Sequence, residues 1–223
     1  MYRLRIIAMV LLTLLLSGCD NQKNLYEINE FRWQGRMYYV PRIYEKMAWA
    51  DTDRDQSIYL QVMYPHFSPL SQSPQKYWDE GTKYHYIIRI LVSDKDPKIP
   101  FETAIRTGMK SYEATELVGE EYGLWHYTQP EGKNQDSYDY WIEKNSDELI
   151  SYITCSEILS ERSVPQCRYF IPNEKVYYIV SFDKRLLPHW SSIKKNTEEI
   201  YTSFASPEAA LEFLNSRLEI SNE

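Results

Sequence analysis

The sequence predicts an α+β fold, in which a mostly antiparallel sheet carries an inserted helix and C-terminal helices packed on it. Three observations support this prediction. Short runs of strand-like sequence, separated by turn residues, recur between Phe31 and Phe182. The period of the apolar side chains becomes helical at residues 101–115 and again after Trp190. A tight connection at residues 172–174 joins the last two runs, and so short a link suits only antiparallel strands.

The predicted strands follow one another along the chain. Phe31 to Val40 indicates a hairpin of two aromatic-rich runs around Gly35, and Pro41 ends it. The run Tyr84 to Val92 is largely apolar, which predicts burial on both faces of the strand. The remaining predicted strands are Ser57–Met63, Leu124–Thr128, Ser137–Lys144, Leu149–Cys155, Arg168–Pro172 and Val176–Phe182.

Helical spacing predicts three helices. Apolar side chains share one face across residues 101–115, and Gly119 and Gly123 mark a break after this inserted helix. The first C-terminal helix is expected to start near Trp190. The second is expected to open with Ser206-Pro207-Glu208, which combines an N-cap, a first-position proline and a first-turn acid.

The first eighteen residues predict a secretory leader. Arg3 and Arg5 precede the apolar run Ile6–Leu16, which is too short to span a bilayer. The segment Leu16-Ser17-Gly18-Cys19 resembles the lipobox of bacterial lipoproteins, in which the cysteine is lipidated and becomes the first mature residue. An ordinary signal peptide with an incidental Cys19 is the alternative.

The leader defines the expected organisation of the chain. Residues 1–18 form the lipoprotein signal peptide, residues 19–30 a polar tether, and residues 31–223 a single α+β domain. The protein is expected to be bacterial, exported, and held to a membrane only through the lipid anchor on Cys19.

The charge of the chain excludes some classes of partner. The 32 acidic residues outnumber the 25 Lys and Arg, two of which, Arg3 and Arg5, leave with the leader. An acidic surface argues against nucleic acid, because nucleic-acid binding needs clustered Lys and Arg to neutralise phosphates. The same surface argues against a protein that lies flat on anionic lipid.

Two cysteines, Cys155 and Cys167, remain after Cys19. Export would place them in an oxidising compartment, so the sequence predicts a structural disulfide between them. A redox pair is the alternative, but reactive dithiols usually lie two residues apart.

The sequence holds no motif for catalysis, metal or cofactor. The four histidines have no zinc spacing, and His85 and His126 are expected to be neutral histidines within strands. Asp51, Asp53 and Asp55 begin like a calcium loop, but Gln56 and Val62 stand where such a loop needs Gly and Glu. A solvated acidic loop is the better interpretation.

The segments 31–41 and 182–190, with Cys155 and Cys167 between them, resemble a group of enterobacterial lipoproteins associated with type VI secretion. Members of that group are immunity proteins against secreted lipases and phospholipases. The resemblance implies a periplasm-facing inhibitor that is not an enzyme, binds a secreted lipase or phospholipase toxin, and needs no cofactor. Asp20, directly after Cys19, resembles the signal that avoids outer-membrane sorting, which favours the periplasmic face of the inner membrane over the outer.

Exposed loops carry binding on many rigid sheets, so the loops at residues 50–56 and 65–81 are the predicted contact surface for the toxin. The predicted partner-binding residues are Asp51, Asp53, Asp55, His66, Phe67, Tyr77 and Trp78. Two other classes stay open. One is an envelope-assembly or ligand-binding lipoprotein without a toxin partner, and the other is a hydrolase whose residues converge only in three dimensions.

Overall fold

A computed structural model of the chain describes ten parts of it, which are residues 26–33, 35–44, 58–70, 85–94, 103, 115–128, 138–146, 148–156, 166–173 and 176–220. The side chains of residues 33, 93, 94 and 220 are not described. The described residues form eleven strands and two α-helices in the α+β arrangement that the sequence predicts. No helix among them is long and apolar enough to cross a membrane.

The first two strands form a hairpin of their own. β1 (Ile28–Trp33) pairs antiparallel with β2 (Arg36–Pro41), as predicted, and a 3-10 turn at Arg42–Tyr44 follows. β1 begins three residues before the predicted start of the domain, because Ile28 packs against the core. The end of the expected tether is therefore part of the fold.

Nine strands form the main sheet, and every pairing in it is antiparallel. Their spatial order is β4-β3-β5-β11-β10-β9-β8-β7-β6. The strands from β6 to β11 therefore lie side by side in chain order, whereas β5 returns to pair with β11. Their bounds are Ile58–Met63 (β3), Ser68–Pro69 (β4), Ile87–Asp94 (β5), Glu116–Glu121 (β6), Leu124–Thr128 (β7), Tyr138–Asn145 (β8), Glu148–Ser156 (β9), Gln166–Pro172 (β10) and Val176–Asp183 (β11).

The C-terminal helices cover one face of this sheet. A 3-10 segment, Lys184–His189, leads from β11 into α1 (Trp190–Ser203), and α2 (Pro207–Ile220) follows after a short turn. Both helices start where the sequence predicts. The inserted helix predicted at residues 101–115 lies almost entirely outside the described residues.

The main core lies between the sheet, the helices and the β1–β2 hairpin. Alternate side chains of each central strand point into it, as a period of two requires. The hairpin is held on the helix side by a hydrogen bond from the backbone N of Tyr39 to the carbonyl O of Phe204, 2.9 Å long. Core side chains that are almost fully buried include Leu60, Ile90, Tyr169, Val180, Phe182, Ile193, Ile200, Phe204 and Leu214.

A smaller apolar cluster lies on the opposite face of the sheet. Tyr140, Ile142 and Tyr152 form it, with Phe170 stacked on Tyr152 at a ring distance of 4.5 Å. β8 and β9 are therefore buried on both faces in part of their length. This explains why their sequences are rich in large apolar side chains.

Cys155 and Cys167 are joined by a disulfide, as the sequence predicts. The two residues lie directly opposite each other on β9 and β10, and both are fully buried. The bond therefore crosses two neighbouring strands inside the main core.

Two predictions about single elements differ from the structure. β6 falls on the segment predicted as a break, because Gly119 lies at a bulge in this strand rather than between elements. His85 was expected within a strand, but β5 begins at Ile87. His85 instead lies just before it, where its ring reaches Asp183.

Candidate functional site

Exposed apolar side chains are concentrated at one end of the main sheet. Among the described residues, six large apolar side chains are exposed, and five of them belong to β6, β7, β8 or the turn between β6 and β7. We call these five the β6–β8 patch. The patch comprises Leu117 (53% exposed), Val118 (59%), Tyr122 (46%), Trp125 (41%) and Tyr138 (38%). Exposed apolar side chains that are concentrated in one part of a surface are typical of interaction sites.

The patch includes the edge of the sheet. Among the described strands, β6 is the last one and pairs only with β7. Its sequence is Glu-Leu-Val-Gly-Glu-Glu, so the apolar pair Leu117 and Val118 lies among carboxylates and the strand has no Lys or Arg. The pairing register shifts between Leu117 and Gly119, which makes Val118 the extra residue of a β-bulge.

The turn at the end of β6 is fixed to the helix layer. Tyr122 and Gly123 both have positive φ, 55° and 77°, which is the requirement of a two-residue type I′ hairpin turn. The indole Nε1 of Trp190, the first residue of α1, donates to the carbonyl O of Tyr122 at 2.9 Å. The Trp190 ring also meets the buried ring of Tyr169 edge-on, at a centroid distance of 6.1 Å. The patch is thus tied to the core.

Under the patch, Trp141 is the centre of a stack. The His126 ring lies parallel to it, with centroids 4.4 Å apart, and the Nζ of Lys184 lies 5.2 Å from the Trp141 ring. The Trp141 Nε1 donates to the Oε2 of Glu121 at 2.9 Å, which fixes the last residue of β6 to β8. His126 does lie in a strand, as predicted, and faces the indole.

Asp139 is the polar neighbour of this stack. Its side chain accepts a hydrogen bond from Thr128 Oγ1 at 2.9 Å and one from Lys184 Nζ at 2.9 Å. The Nε2 of His126 lies 3.8 Å from Asp139 Oδ1, which is beyond hydrogen-bond range. These contacts tie β7, β8 and the segment after β11 together.

Glu143 forms a second polar cluster on the same face of β8. It accepts hydrogen bonds from Lys194 Nζ at 2.8 and 3.0 Å and from the hydroxyl of Ser151. The Tyr169 hydroxyl lies 3.5 Å from Glu143 and 3.1 Å from Ser151. Burial raises the pKa of Tyr169 above its ordinary value, so this phenol is a neutral donor near pH 7. The cluster therefore anchors α1 on the sheet.

A third cluster lies at the end of β11. Asp183, whose side chain is fully buried, contacts His85 Nδ1 at 2.6 Å and accepts from the Arg185 backbone N, Nε and a terminal nitrogen at 2.9, 3.1 and 2.9 Å. Burial raises the pKa of this carboxyl, and the backbone hydrogen bond from Arg185 acts against that rise. Because Asp183 is also the N-cap of the 3-10 segment, these contacts have a clear structural purpose.

The described part of the chain has no group of three or more His, Cys, Asp or Glu side chains arranged to hold a metal ion. A cavity of about 10 Å³ lies between the sheet and α1, lined by side chains such as Leu60, Tyr178 and Ile200. This volume is about what one water molecule needs, so this cavity has no room for an organic ligand.

The structure describes two of the predicted contact residues, His66 and Phe67. Asp51, Asp53, Asp55, Tyr77 and Trp78 lie outside the described residues, as does the lipidation site Cys19. His66 is half-buried in a turn. Phe67 is completely buried, and this burial assigns it to core packing instead of the predicted partner contact.

The β6–β8 patch was not among the sequence predictions. Its clearest signal in the sequence is the Leu117-Val118 pair between Glu116 and Glu120, in a segment without the alternation of a half-buried strand. The pair can be recognised as exposed only once β6 is known to be an edge.

Comparison with known proteins reveals similarity in fold. No protein-family model and no curated protein matches the chain in sequence. The structure of an immunity protein of the Stenotrophomonas maltophilia type IV secretion system superposes with a TM-score of 0.60 at 12% identity, covering 80% of this chain and 93% of that one. The iron-regulated outer membrane lipoprotein FrpD of Neisseria meningitidis superposes with a TM-score of 0.51 at 10% identity, covering 81% and 93%. The chain shares its fold with both proteins.

Proposed function

We propose that this chain is an immunity-type inhibitor, which binds and neutralises a secreted antibacterial lipase or phospholipase at the cell envelope. The observation that carries the proposal is the fold shared with a secretion-system immunity protein over 80% of the chain. The predicted lipoprotein leader supports it, because an inhibitor anchored at the membrane meets a phospholipid-degrading toxin at its substrate.

The target class and the secretion machine come from the sequence resemblance. That resemblance points to lipases and phospholipases delivered by type VI secretion, whereas the protein of similar fold belongs to a type IV system. We therefore take the target class from the resemblance, and type VI secretion as the delivery route to be tested.

The inhibitor acts by binding and not by catalysis in this proposal. It resides on the periplasmic face, with the inner membrane favoured, and is anchored through Cys19. The polar clusters around Trp141, Glu143 and Asp183 make contacts between elements of the fold, and that use agrees with a non-enzymatic protein. A complex that must prevent turnover should be tight, with a Kd on the order of 1 nM.

Co-expression tests the proposal. The effector encoded beside this chain's gene is exported to the periplasm of a host with and without this protein. We expect survival and intact phospholipid only when the protein is present. Equal killing in both strains, together with no complex between the purified proteins at micromolar concentration, would overturn the immunity function.

One specific observation favours a second candidate. FrpD, a second protein of similar fold, is an outer membrane lipoprotein, which fits an envelope-assembly or ligand-binding lipoprotein without a toxin partner. Deletion of the gene separates the two functions. Loss of envelope integrity in the absence of any effector supports the second, whereas sensitivity only to effector-producing neighbours supports the first.

A further inference from the structure

We propose that β6 is the docking strand for the effector, and that a basic, exposed strand of the effector adds to the sheet beside it. This inference rests on the proposed function and specifies the contact surface. Strand addition uses the unpaired backbone groups of a sheet edge for affinity and the alternate side chains for specificity.

Among the described strands, β6 is an edge of the main sheet, and it carries an exposed apolar pair. Natural edge strands are normally blunted by charges, bulges or covering segments, because an open edge invites pairing with other chains. β6 has a bulge at Val118 and three carboxylates, yet it presents Leu117 and Val118 with more than half of each side chain exposed. An apolar pair at this position raises the risk of aggregation unless a partner uses it.

The charge of β6 selects the kind of partner. Glu116, Glu120 and Glu121 lie within six residues that contain no cation. Two copies of this strand would place carboxylates next to carboxylates, and like charges opposite each other are destabilising. A strand with Lys or Arg beside apolar side chains would instead be attracted both by charge and by the apolar pair.

The surroundings of β6 are rigid enough for recognition. The Trp141 indole holds Glu121, and the Trp190 indole holds the carbonyl of Tyr122, each at 2.9 Å. Trp125 and Tyr138 extend the exposed apolar surface onto β7 and β8. Large aromatic side chains that are already positioned are common energetic centres of protein interfaces.

The experiment compares matched variants in binding to the purified effector encoded beside this chain's gene. Glu116→Lys with Glu120→Lys reverses the charge of the edge, and Glu212→Lys with Glu219→Lys makes the same change in net charge on exposed positions of α2. We expect the edge variant to raise the Kd at least about tenfold, mainly through slower association, and the helix variant to stay close to wild type.

A second pair tests the apolar contact. Leu117→Ala with Val118→Ala should raise the Kd by about tenfold or more, whereas Tyr26→Ala, at an exposed apolar residue outside the patch, should change it little. Thermal unfolding of each variant verifies that the fold is retained. In the wild-type complex, amide hydrogen exchange at residues 116–121 should slow, because strand addition protects backbone N–H groups of the edge.

The outcomes separate the two proposals. If the wild-type protein forms no complex, the proposed function fails and the docking strand fails with it. If the wild type binds but both edge variants bind equally well, the immunity function stands and the docking strand is wrong. Self-association of the wild type that Leu117→Ala with Val118→Ala abolishes would show that the edge pairs with a second copy, which also contradicts the inference.

Discussion

Raising the pH to about 11 should destabilise this protein strongly, because four tyrosines are buried in its two apolar clusters. Tyr44, Tyr152, Tyr169 and Tyr178 have exposed fractions of 1%, 3%, 1% and 0%. Burial is the largest cause that raises the pKa of each phenol above its ordinary value of 10.0. The folded protein therefore keeps these four protons at a pH where the unfolded chain releases them.

The sign and size of the effect follow from linkage. A group whose pKa is raised on folding contributes stability that is complete below the unfolded pKa and is lost as the pH rises above it. At about pH 11 each phenol that stays protonated only in the folded state costs about 1.4 kcal/mol relative to neutral pH. Four such groups cost about 6 kcal/mol, which is comparable to the whole stability of many domains.

Urea unfolding at a series of pH values measures this loss, and the ultraviolet absorbance of tyrosinate reports ionisation directly. Tyr152→Phe keeps the ring stacked on Phe170 and removes one of the four groups, so its alkaline loss should be smaller than wild type by about 1.4 kcal/mol at about pH 11. Tyr26→Phe is the matched control, because it makes the same chemical change at a side chain that is 51% exposed. The reasoning is refuted if the four phenols ionise near pH 10 while the near-ultraviolet circular dichroism stays native.

Three further predictions concern the disulfide, the helix anchor and the lipid. Replacing both Cys155 and Cys167 by Ala should cost about 3 kcal/mol of unfolding free energy, because the bond closes a loop with a sequence separation of 12; unchanged chemical denaturation under non-reducing conditions would contradict this. Lys194→Met removes the ammonium that donates to Glu143 and should lower the free energy of unfolding by about 1–2 kcal/mol. Lys195→Met, at the exposed neighbour on α1, should stay within about 0.5 kcal/mol of wild type. Equal effects of the two variants in urea unfolding would show that the Lys194–Glu143 contact does not stabilise the fold. Cys19→Ala should leave an unprocessed or soluble form, and the prediction fails if membrane fractionation and processing are both unchanged.

The parts of the fold that could be predicted are those with a burial pattern. β3 and β11 alternate between the core and the opposite face, so a period of two located them. α1 and α2 have apolar positions at helical spacing, and Pro207 marks the start of α2. A strand or helix that is buried on one face has apolar residues at a regular spacing, and the sequence therefore reveals it.

β6 could not be predicted in the same way. An edge strand that is exposed on both faces needs no apolar alternation, and its Glu residues and Gly119 have a low propensity for strands. The pairing of β5 with β11 likewise joins segments far apart in the chain, and no local pattern encodes it. The β6–β8 patch lies at an end of the sheet. Its position therefore follows only when β6 and the order of the strands are known.

The polar clusters on β8 have a sequence signal in the spacing of their residues. A period of two places Asp139, Trp141 and Glu143 on one face of β8, which is the face that the helices cover. Carboxylates on a covered face need partners, so this spacing alone predicts cations nearby. The cations are Lys184 and Lys194, which come from the segment after β11 and from α1, and their assignment required the fold.

The strands that build the main core and the proposed docking strand lie in different parts of the sheet. β3, β5, β10 and β11 contribute most of the apolar core under the helices, whereas β8 meets the helix side through Asp139, Trp141 and Glu143. The exposed patch lies beyond this polar zone, at the end of the sheet that contributes least to the main core. Substitutions of Leu117, Val118, Glu116 and Glu120 remove little buried surface, so they should alter binding without unfolding the protein. That separation is what allows the docking strand to be tested with a folded chain.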